Sequence, residues 1–411
     1  MNTRTRHSGL IYADQDKAYQ SFISFSALDG KTHLIDMDGQ QVHQWDYQGL
    51  PGDVIDPHLI GGKRGHVLVQ YEMIEELAFG IYGNKIVAEI DWNGEPVWKW
   101  GEQAPSGAAR QNHDWQRLAN GNTLLLITEP RVVPLLGDTE VSDQGIYEVN
   151  PAGDIVWSWL AGDHIEEFGF SEEGLNDLRH SLKRKDQDPW GYLELNTSQV
   201  LGSNKWYDNG DEIFHPDNII ISSRKGNFVA IIEKETGDIV WRVGPYSDVD
   251  SNPYYRLLNR EVPRPLDQTS GQHKPHLIPK GLPGAGNLIL LDNQGGAGYP
   301  PVSLATYAGS RVLEINPVTK EIVWQYTAED SGDPVWSFHT SFVGNVQRLP
   351  NGNTLINEGM NGRIFQITAS GEIVWEYINP YPGFTAAGKS TIENPMVYRA
   401  QAVPFDWVPE S

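Results

Sequence analysis

The sequence predicts an all-β fold, a six-bladed β-propeller of four-stranded antiparallel blades, and three observations carry that reading. A turn-and-strand pattern ending in aromatic residues recurs six times along the 411 residues. A second unit, built on an Asn-Gly turn, precedes several of these copies. The composition, with 42 Gly, 26 Pro, 14 Trp, 17 Tyr and 12 Phe, suits many short strands joined by tight turns around an aromatic core.

The first pattern is a Gly-containing turn, an acidic or polar residue, two β-formers, Trp, one further residue and a second aromatic. It reads DGQQVHQW from Asp38, NGEPVWKW from Asn93, AGDIVWSW from Ala152, TGDIVWRV from Thr236, TKEIVWQY from Thr319 and SGEIVWEY from Ser370. Each copy is a hairpin turn running into an alternating strand. The second unit reads LANGNTLLL from Leu118, LPNGNTLI from Leu349 and GAGNLILL from Gly284, with looser versions at Gly62 and Asn218, and its turn separates two inner strands. Joined, the two units make one four-stranded sheet, and six sheets in a ring make a propeller. A single sheet of this kind cannot bury both faces. Stacked radially, each covers the next, and closure removes the exposed end. The recurrent Trp is therefore expected between blades.

The repeat makes residues 1–411 one propeller domain, with insertions at about 160–212 and 245–270, where the copy spacing stretches. In the first insertion, SEEGLNDLRHSLKR sets Leu175, Leu178 and Leu182 on one helical face behind a Ser171 cap. The second, from Tyr246 to Thr269, is polar and proline-bearing and reads as an irregular surface excursion. Insertions gathered on one rim shape a substrate mouth.

Thirty-one Lys and Arg against 54 Asp and Glu give a net charge of −23, which repels nucleic-acid phosphates and the anionic face of a membrane. Nucleic acid is not an expected partner, and no run of about 18 apolar residues spans a bilayer. An anionic or aromatic small-molecule substrate must be held by local Arg and His side chains working against the overall field. The absence of cysteine excludes disulfides, thiolate metal sites and cysteine nucleophiles. No apolar segment follows the charged N-terminal residues, so no signal peptide is visible and the compartment stays open. A homo-oligomer is compatible with the sequence.

The innermost strand of each blade lines the channel, so polar residues at its start converge from several blades. His113, Arg224, His273, His276, His339, His58 and Asn196 occupy such places. Convergent titratable groups in a cavity mark sites. His7, His33, His43, His66, His164 and His180 lack this placement and read as surface or packing residues, and His215 fits either reading. In GQHKPHLIPKGLPGAGNLILLDNQGGAGYP, Gln272 and His273 open an inner strand, Asp292 and Asn293 close the segment, and Gly295, Gly296 and Gly298 allow tight turns. It is not a phosphate loop, since no helix pattern or Gly-Lys-Ser step follows. No cofactor is expected.

Four segments resemble the bacterial aryl-sulfate sulfotransferase family, the propeller enzymes that act without PAPS. They are HDWQRLANGNTLL at His113, NKWYDNGDEIFHPDNIIISSRKGNFVAIIEKETGDIVWRVGP from Asn204, QHKPHLIPKG at Gln272 and QRLPNGNTLINEGMNGRIFQIT at Gln347, and the similarity runs from about Gly9 to Pro380. The resemblance implies that His273 is a nucleophile that takes a sulfuryl group from an aryl sulfate and passes it to a phenol. It implies that Arg224 and Asn196 hold the anion and that His113 is an acid/base or oxyanion donor. His276, His339, His58 and Tyr207 are candidates for substrate binding. Family members are usually periplasmic or secreted.

The family's His-x-Asn-Ser motif is matched by Glu194-Leu195-Asn196-Thr197, with Glu194 in the histidine's place. An ionised carboxylate about 4 Å from a sulfuryl oxygen repels it by roughly 4 kcal/mol at an effective dielectric of about 20, unless it is protonated or turned aside. Two other readings stay open. In one, the chain is a lyase or hydrolase of an anionic saccharide or other carboxylated molecule, with Glu194 or His113 abstracting a proton and Arg224 neutralising the substrate. In the other, it is a non-catalytic propeller or one holding a metal through His113, His273, His276 and Glu194, although no short His-x-x-x-His spacing is present.

Overall fold

The computed structural model describes residues 7–78, 81–183, 190–245, 260–301, 309–387 and 390–410. Six antiparallel sheets follow one another around an axis. Blade 1 holds Phe22–Ala27, Thr32–Ile35 and Gln41–Trp45, and its inner strand, Val397–Val403, comes from the far end of the chain. Blade 2 holds Val67–Ala78, Ile81–Ile90 and Pro96–Trp100, with its inner position reduced to a single bridge from Val54 to Val67. Blade 3 runs Gln111–Arg117, Thr123–Val132, Glu140–Val149 and Ile155–Leu160. Blade 4 runs Leu195–Val200, Ile219–Ser223, Phe228–Ile232 and Ile239–Val243.

Blade 5 runs His273–Leu277, Leu288–Asp292, Arg311–Asn316 and Glu321–Tyr326, with Arg264–Pro265 added outside. Blade 6 runs Asn345–Arg348, Thr354–Glu358, Arg363–Ile367 and Ile373–Ile378, with Gly9–Ala13 as a fifth, outermost strand. Four strands per blade is thus the rule, with departures at blades 2, 5 and 6. The first outer copy, at Asp38, has no inner strand ahead of it in the chain. Blade 1 therefore takes its inner strand from the C-terminal end, and blade 6 takes an outer one from the N-terminal end.

The recurrent Trp residues do more than fill the inter-blade space. In every blade one Trp of the pattern donates its indole N–H to a carbonyl in the outer turn of the next blade: Trp45 to Asp91, Trp100 to Gly153, Trp159 to Gly237, Trp241 to Pro317, Trp324 to Ala369 and Trp375 to Met37. The last bond closes the ring. Trp375→Phe keeps most of the packing but strands the buried Met37 carbonyl, so a loss of about 1–3 kcal/mol is expected, read as a lower urea midpoint.

A second stitch runs nearer the axis. A side-chain amide from a middle strand or the turn beside it bonds the backbone where the next blade's inner strand begins: Gln144 to Leu195, Asn227 to Thr269 and Gly271, Asn293 to Thr340 and Val343, and Asn357 to Val397 and Tyr398. Neighbouring inner strands cannot pair along their whole length, and these amides satisfy the backbone groups left over.

In the first insertion, Glu172–Leu182 is an α-helix whose N-cap Ser171 accepts the Gly174 N–H at 3.1 Å. Leu178 is buried and Leu175 and Leu182 pack beside it. The stretch 160–212 also contains the inner strand of blade 4, so the excursion divides into a part before Leu195 and a part after Val200. Of the second insertion, residues 246–259 lie outside the described residues. Because strands alternate in direction, every crossing between blades arrives at the same end of the ring, where inner strands start. The helix-bearing excursion, residues 267–272 and the 327–344 segment sit at that upper mouth, while Arg264–Pro265 line the outer edge of blade 5.

Candidate active site

At the upper mouth the inner strands of blades 3, 4 and 5 are bulged, with register shifts between Gln111 and Trp115, Leu195 and Thr197, and His273 and His276. His113, Glu194 and Lys274 sit there at φ values of 58°, 49° and 50°. Left-handed backbone at non-glycine residues is strained and persists where the surroundings enforce it, and a bulge re-aims the side chain that would otherwise follow the pleat.

His273 is 2% exposed. Its Nδ1 lies 2.7 Å from Asn293 Oδ1 and 3.0 Å from the Gly271 carbonyl, while Nε2 accepts the Val343 N–H at 3.2 Å. Two acceptors at Nδ1 and a donor at Nε2 define one tautomer, with the proton on Nδ1 and the lone pair on Nε2. Burial, and then the charge of Arg224, push its pKa down to about 3, so the imidazole is neutral at ordinary pH. His113 is also buried, and burial, then the neighbouring His273 imidazole against which a second proton would be repelled, then the charges of Arg399 and Arg224 hold it well below the usual histidine range. Its Nδ1 lies 2.7 Å from Asn112 Oδ1, and Asn112 spends an N–H on the Arg110 carbonyl, so His113 too carries its proton on Nδ1.

Arg224 Nη1 pairs with Glu194 Oε2 at 3.0 Å, and Nη2 reaches the Gly296 carbonyl at 3.4 Å. Its Nε is buried with no hydrogen bond. Glu194 thus neither turns away nor stands alone: its charge is met by the cation expected to hold the substrate. Asn196 is fully buried, and its side chain bonds the Gln272 carbonyl and the Thr197 hydroxyl, which joins blade 4 to blade 5. It is a strut beneath the cluster, with its oxygen and one amide hydrogen engaged. Gly295 permits the loop beside Arg224 to touch the next blade, since a Cβ there would lie 2.0 Å from the Ser341 carbonyl oxygen.

Above these groups lies an apolar cluster of Leu50, Val343, Met396 and Tyr398, with Leu28, Trp190, Phe342 and Met360 packed against it. Trp190 meets His113 edge-on at 4.9 Å between centroids, and the Arg224 guanidinium lies 5.9 Å from the Phe342 ring. Below them four charges fill the axis. Arg399 pairs with Asp114 and donates to the Asn196 carbonyl, and Lys274 Nζ lies 3.4 Å from Asp114. Asp53 acts on both cations and is itself pushed up by burial. Lys274 is lowered to about 8, first by burial and then by Arg399.

Beyond this plug the lower mouth opens as a cavity of about 670 Å³ lined by residues including Gln116, Gln199, Lys274, His276 and Gln347. His276 therefore belongs to the opposite end from His273: three residues along a strand advance the chain by about 10 Å. His58 lies on that lower side, exposed and bonded to Asp56. Tyr207 is also there, on the 201–218 excursion, edge-on to His215. His339 stays at the upper mouth, half-buried in the segment that carries Phe342 and Val343, with its Nδ1 buried and unbonded. The structure thus gathers His113, His273, Arg224 and Glu194 and separates His276, His58 and Tyr207 from them. Among the described residues, no three His, Asp or Glu side chains are arranged to hold a metal, and no helix is long and apolar enough to cross a membrane.

Asp114, Lys274, Arg399, Tyr398, Trp190 and Phe342 are missing from the sequence-derived set. Asp114 and Lys274 adjoin His113 and His273 in the chain, a signal that was available. Arg399 and Tyr398 reach the axis only through ring closure.

No curated protein matches the chain. Solved structures resemble it at low identity. A protein of unknown function from Bacteroides caccae is 13% identical, with 93% of this chain and 98% of that one covered and a TM-score of 0.48. Virginiamycin B lyase from Staphylococcus aureus is 12% identical, with 93% of each chain covered and a TM-score of 0.37. The β-propeller domain of Cps50 (Swd1) from Myceliophteria thermophila is 9% identical, with 96% and 97% covered and a TM-score of 0.40. The arylsulfotransferase (ASST) family model matches residues 63–380, a span that contains His113, Glu194, Arg224 and His273 and the strands of blades 2 to 6 except Gly9–Ala13, with blade 1 outside it. The chain belongs to the arylsulfotransferase (ASST) family, whose function is sulfotransferase-like in kind and directed at aryl small molecules.

Proposed function

We propose that the chain transfers a sulfuryl group from an aryl sulfate to a phenolic acceptor through a covalent intermediate on His273. The observation that supports this most is the union of a neutral imidazole, its lone pair fixed on Nε2, with the Arg224 cation at the foot of an aromatic cluster. A nitrogen nucleophile must be unprotonated, and nearby cations keep it so while attracting the substrate anion.

In the first half-reaction the Nε2 lone pair attacks sulfur, the S–O bond to the ring breaks, and the electron pair leaves with the aryl oxide. Arg224 balances charge on the sulfuryl oxygens, sharing itself with Glu194. The Val343 N–H, spent on Nε2 in the free enzyme, becomes a donor to a sulfuryl oxygen once sulfur occupies that nitrogen. In the second half the acceptor oxygen attacks sulfur and its proton passes to His113 Nε2. The N–S electron pair then returns to His273, and His113 releases the proton to solvent, where the departed aryl oxide takes one up. Trp190, Phe342 and Tyr398 offer the rings an apolar wall.

Proton abstraction by Glu194 from an anionic saccharide has no comparable support, because its carboxylate already engages the cation such a substrate would need. Incubation with 4-nitrophenyl sulfate, without acceptor, tests the proposal. Peptide mass mapping after alkaline quench is expected to find one added SO₃ on the peptide containing His273, lost when phenol is supplied. Steady nitrophenol release with no modified peptide would overturn it.

A further inference from the structure

We infer that Asn293 is a positioning residue that decides which nitrogen of His273 carries the lone pair. This rests on reading His273 as the nucleophile.

The inference comes from comparing amides that do one task around the ring. Asn227, Asn293 and Asn357 stitch from different strand positions, each donating from its amide to the backbone where the next blade begins. They differ at the oxygen. In blade 4, Asn227 Oδ1 accepts the Gly271 N–H at 3.1 Å. In blade 6, Asn357 Oδ1 is buried and has no partner. In blade 5, Asn293 Oδ1 meets His273 Nδ1 at 2.7 Å. Stitching blades therefore does not require a partner for the oxygen, and the imidazole contact is an addition to the structural duty.

The orientation of that amide is locked. Its two hydrogens go to the carbonyls of Thr340 at 2.8 Å and Val343 at 2.9 Å. Turning it over would face its oxygen to both carbonyls and its hydrogens to Nδ1. The Asn293 oxygen can then only accept, so Nδ1 must carry the proton and Nε2 the lone pair. The choice of an amide over a carboxylate also matters. The charges facing His273 are Arg224 and Arg399, with His113 the neighbouring imidazole. An aspartate at 293 would stabilise the imidazolium and raise the pH below which the nucleophilic pair is lost. Asparagine supplies the same acceptor without the charge. Two backbone groups act in the same sense, the Gly271 carbonyl 3.0 Å from Nδ1 and the Val343 N–H at Nε2, which requires a lone pair there. Val343 holds φ at 55°, a strained value for a β-branched residue, and that conformation carries its N–H to His273 and its carbonyl to Asn293.

The test compares Asn293→Asp with Asn357→Asp, since both replace a stitching amide and only the first faces an imidazole. Asn293→Asp is expected to raise the acidic limb of the kcat/KM profile for 4-nitrophenyl sulfate by about one unit or more, while Asn357→Asp leaves the limb in place. Asn293→Leu, which removes the shorter of the two Nδ1 contacts and leaves only the Gly271 carbonyl at 3.0 Å, is expected to lower kcat by about tenfold with little change in KM. Nitrogen NMR of ¹⁵N-histidine-labelled wild-type protein, with His273 assigned by the resonance missing in His273→Gln, reads the tautomer without relying on any variant that fails to fold. Nδ1 should appear protonated and Nε2 as a bare lone pair. Equal limbs in the two aspartate variants, or an Nε2–H tautomer in the wild type, would overturn the inference. An Nδ1–H tautomer without sulfuryl transfer to His273 would overturn the nucleophile reading and leave the role of Asn293 in the tautomer standing.

Discussion

His273→Ala is expected to lower kcat/KM for 4-nitrophenyl sulfate by about a thousandfold or more, because removing a nucleophile leaves only binding and electrostatic assistance. The wild-type pH profile should carry the same signature. The active form of the imidazole is the neutral one, and burial together with Arg224 pushes its pKa down to about 3. The fraction of neutral His273 therefore stays near one as pH falls from 7 to about 5, where a histidine of ordinary pKa, about 6.5, would be mostly protonated. Initial rates of nitrophenol release across that range should show no loss assignable to this residue. An acidic limb centred near 6.5 that disappears in His273→Ala would contradict the burial and charge assigned to it. Retained turnover in the alanine variant would remove His273 from the chemistry altogether.

His113, Arg224 and His273 could be read from the sequence because each lies a fixed step from a recurring turn, and recurring turns locate inner strands. Nearness to an inner strand is readable in this way, but which mouth a residue faces is not. His276, His58 and Tyr207 were grouped with the site for their nearness, and strand direction carries them to the lower side. The pairing of Glu194 with Arg224 depends on Leu195 lying opposite Ser223 across a bulged register. An isolated sequence hides that register, so the carboxylate appeared as an unopposed repulsion. Asn293 was visible as the residue closing a strand, but its function lies in the direction of one carbonyl oxygen, fixed only when the 340–343 backbone of the next blade is in place. The six-bladed ring was legible because six copies of one pattern need few assumptions. The exchange of terminal strands that closes it was not, since nothing in either terminal segment repeats the pattern.

Arg399 is where closure of the ring and chemistry of the site meet, and Arg399→Leu is expected to destabilise the fold by about 3–5 kcal/mol. Its guanidinium and the Asp114 carboxylate are 1% and 0% exposed. Removing the cation leaves a buried carboxylate supported by Lys274 at 3.4 Å, the Ser198 N–H at 2.9 Å and the Gln199 amide at 3.2 Å. Those contacts soften the loss but do not replace the charge in a region closed to solvent. Urea unfolding should show the fall in midpoint. Asp114→Leu combined with Arg399→Leu should be less damaging than the two single losses added together, because the Asp114–Arg399 pair then leaves neither member unpaired and Lys274 keeps Asp53. Strict additivity would mean that the two groups are not coupled. The same variant also bears on the reaction. Arg399 is one of the cations that depress His113 and His273, so in Arg399→Leu both imidazoles take up protons at a higher pH than in the wild type. The acidic limb of kcat/KM should move upward even though Arg399 touches no reacting atom, and the C-terminal strand would then set the working pH of the site as well as the closure of the ring.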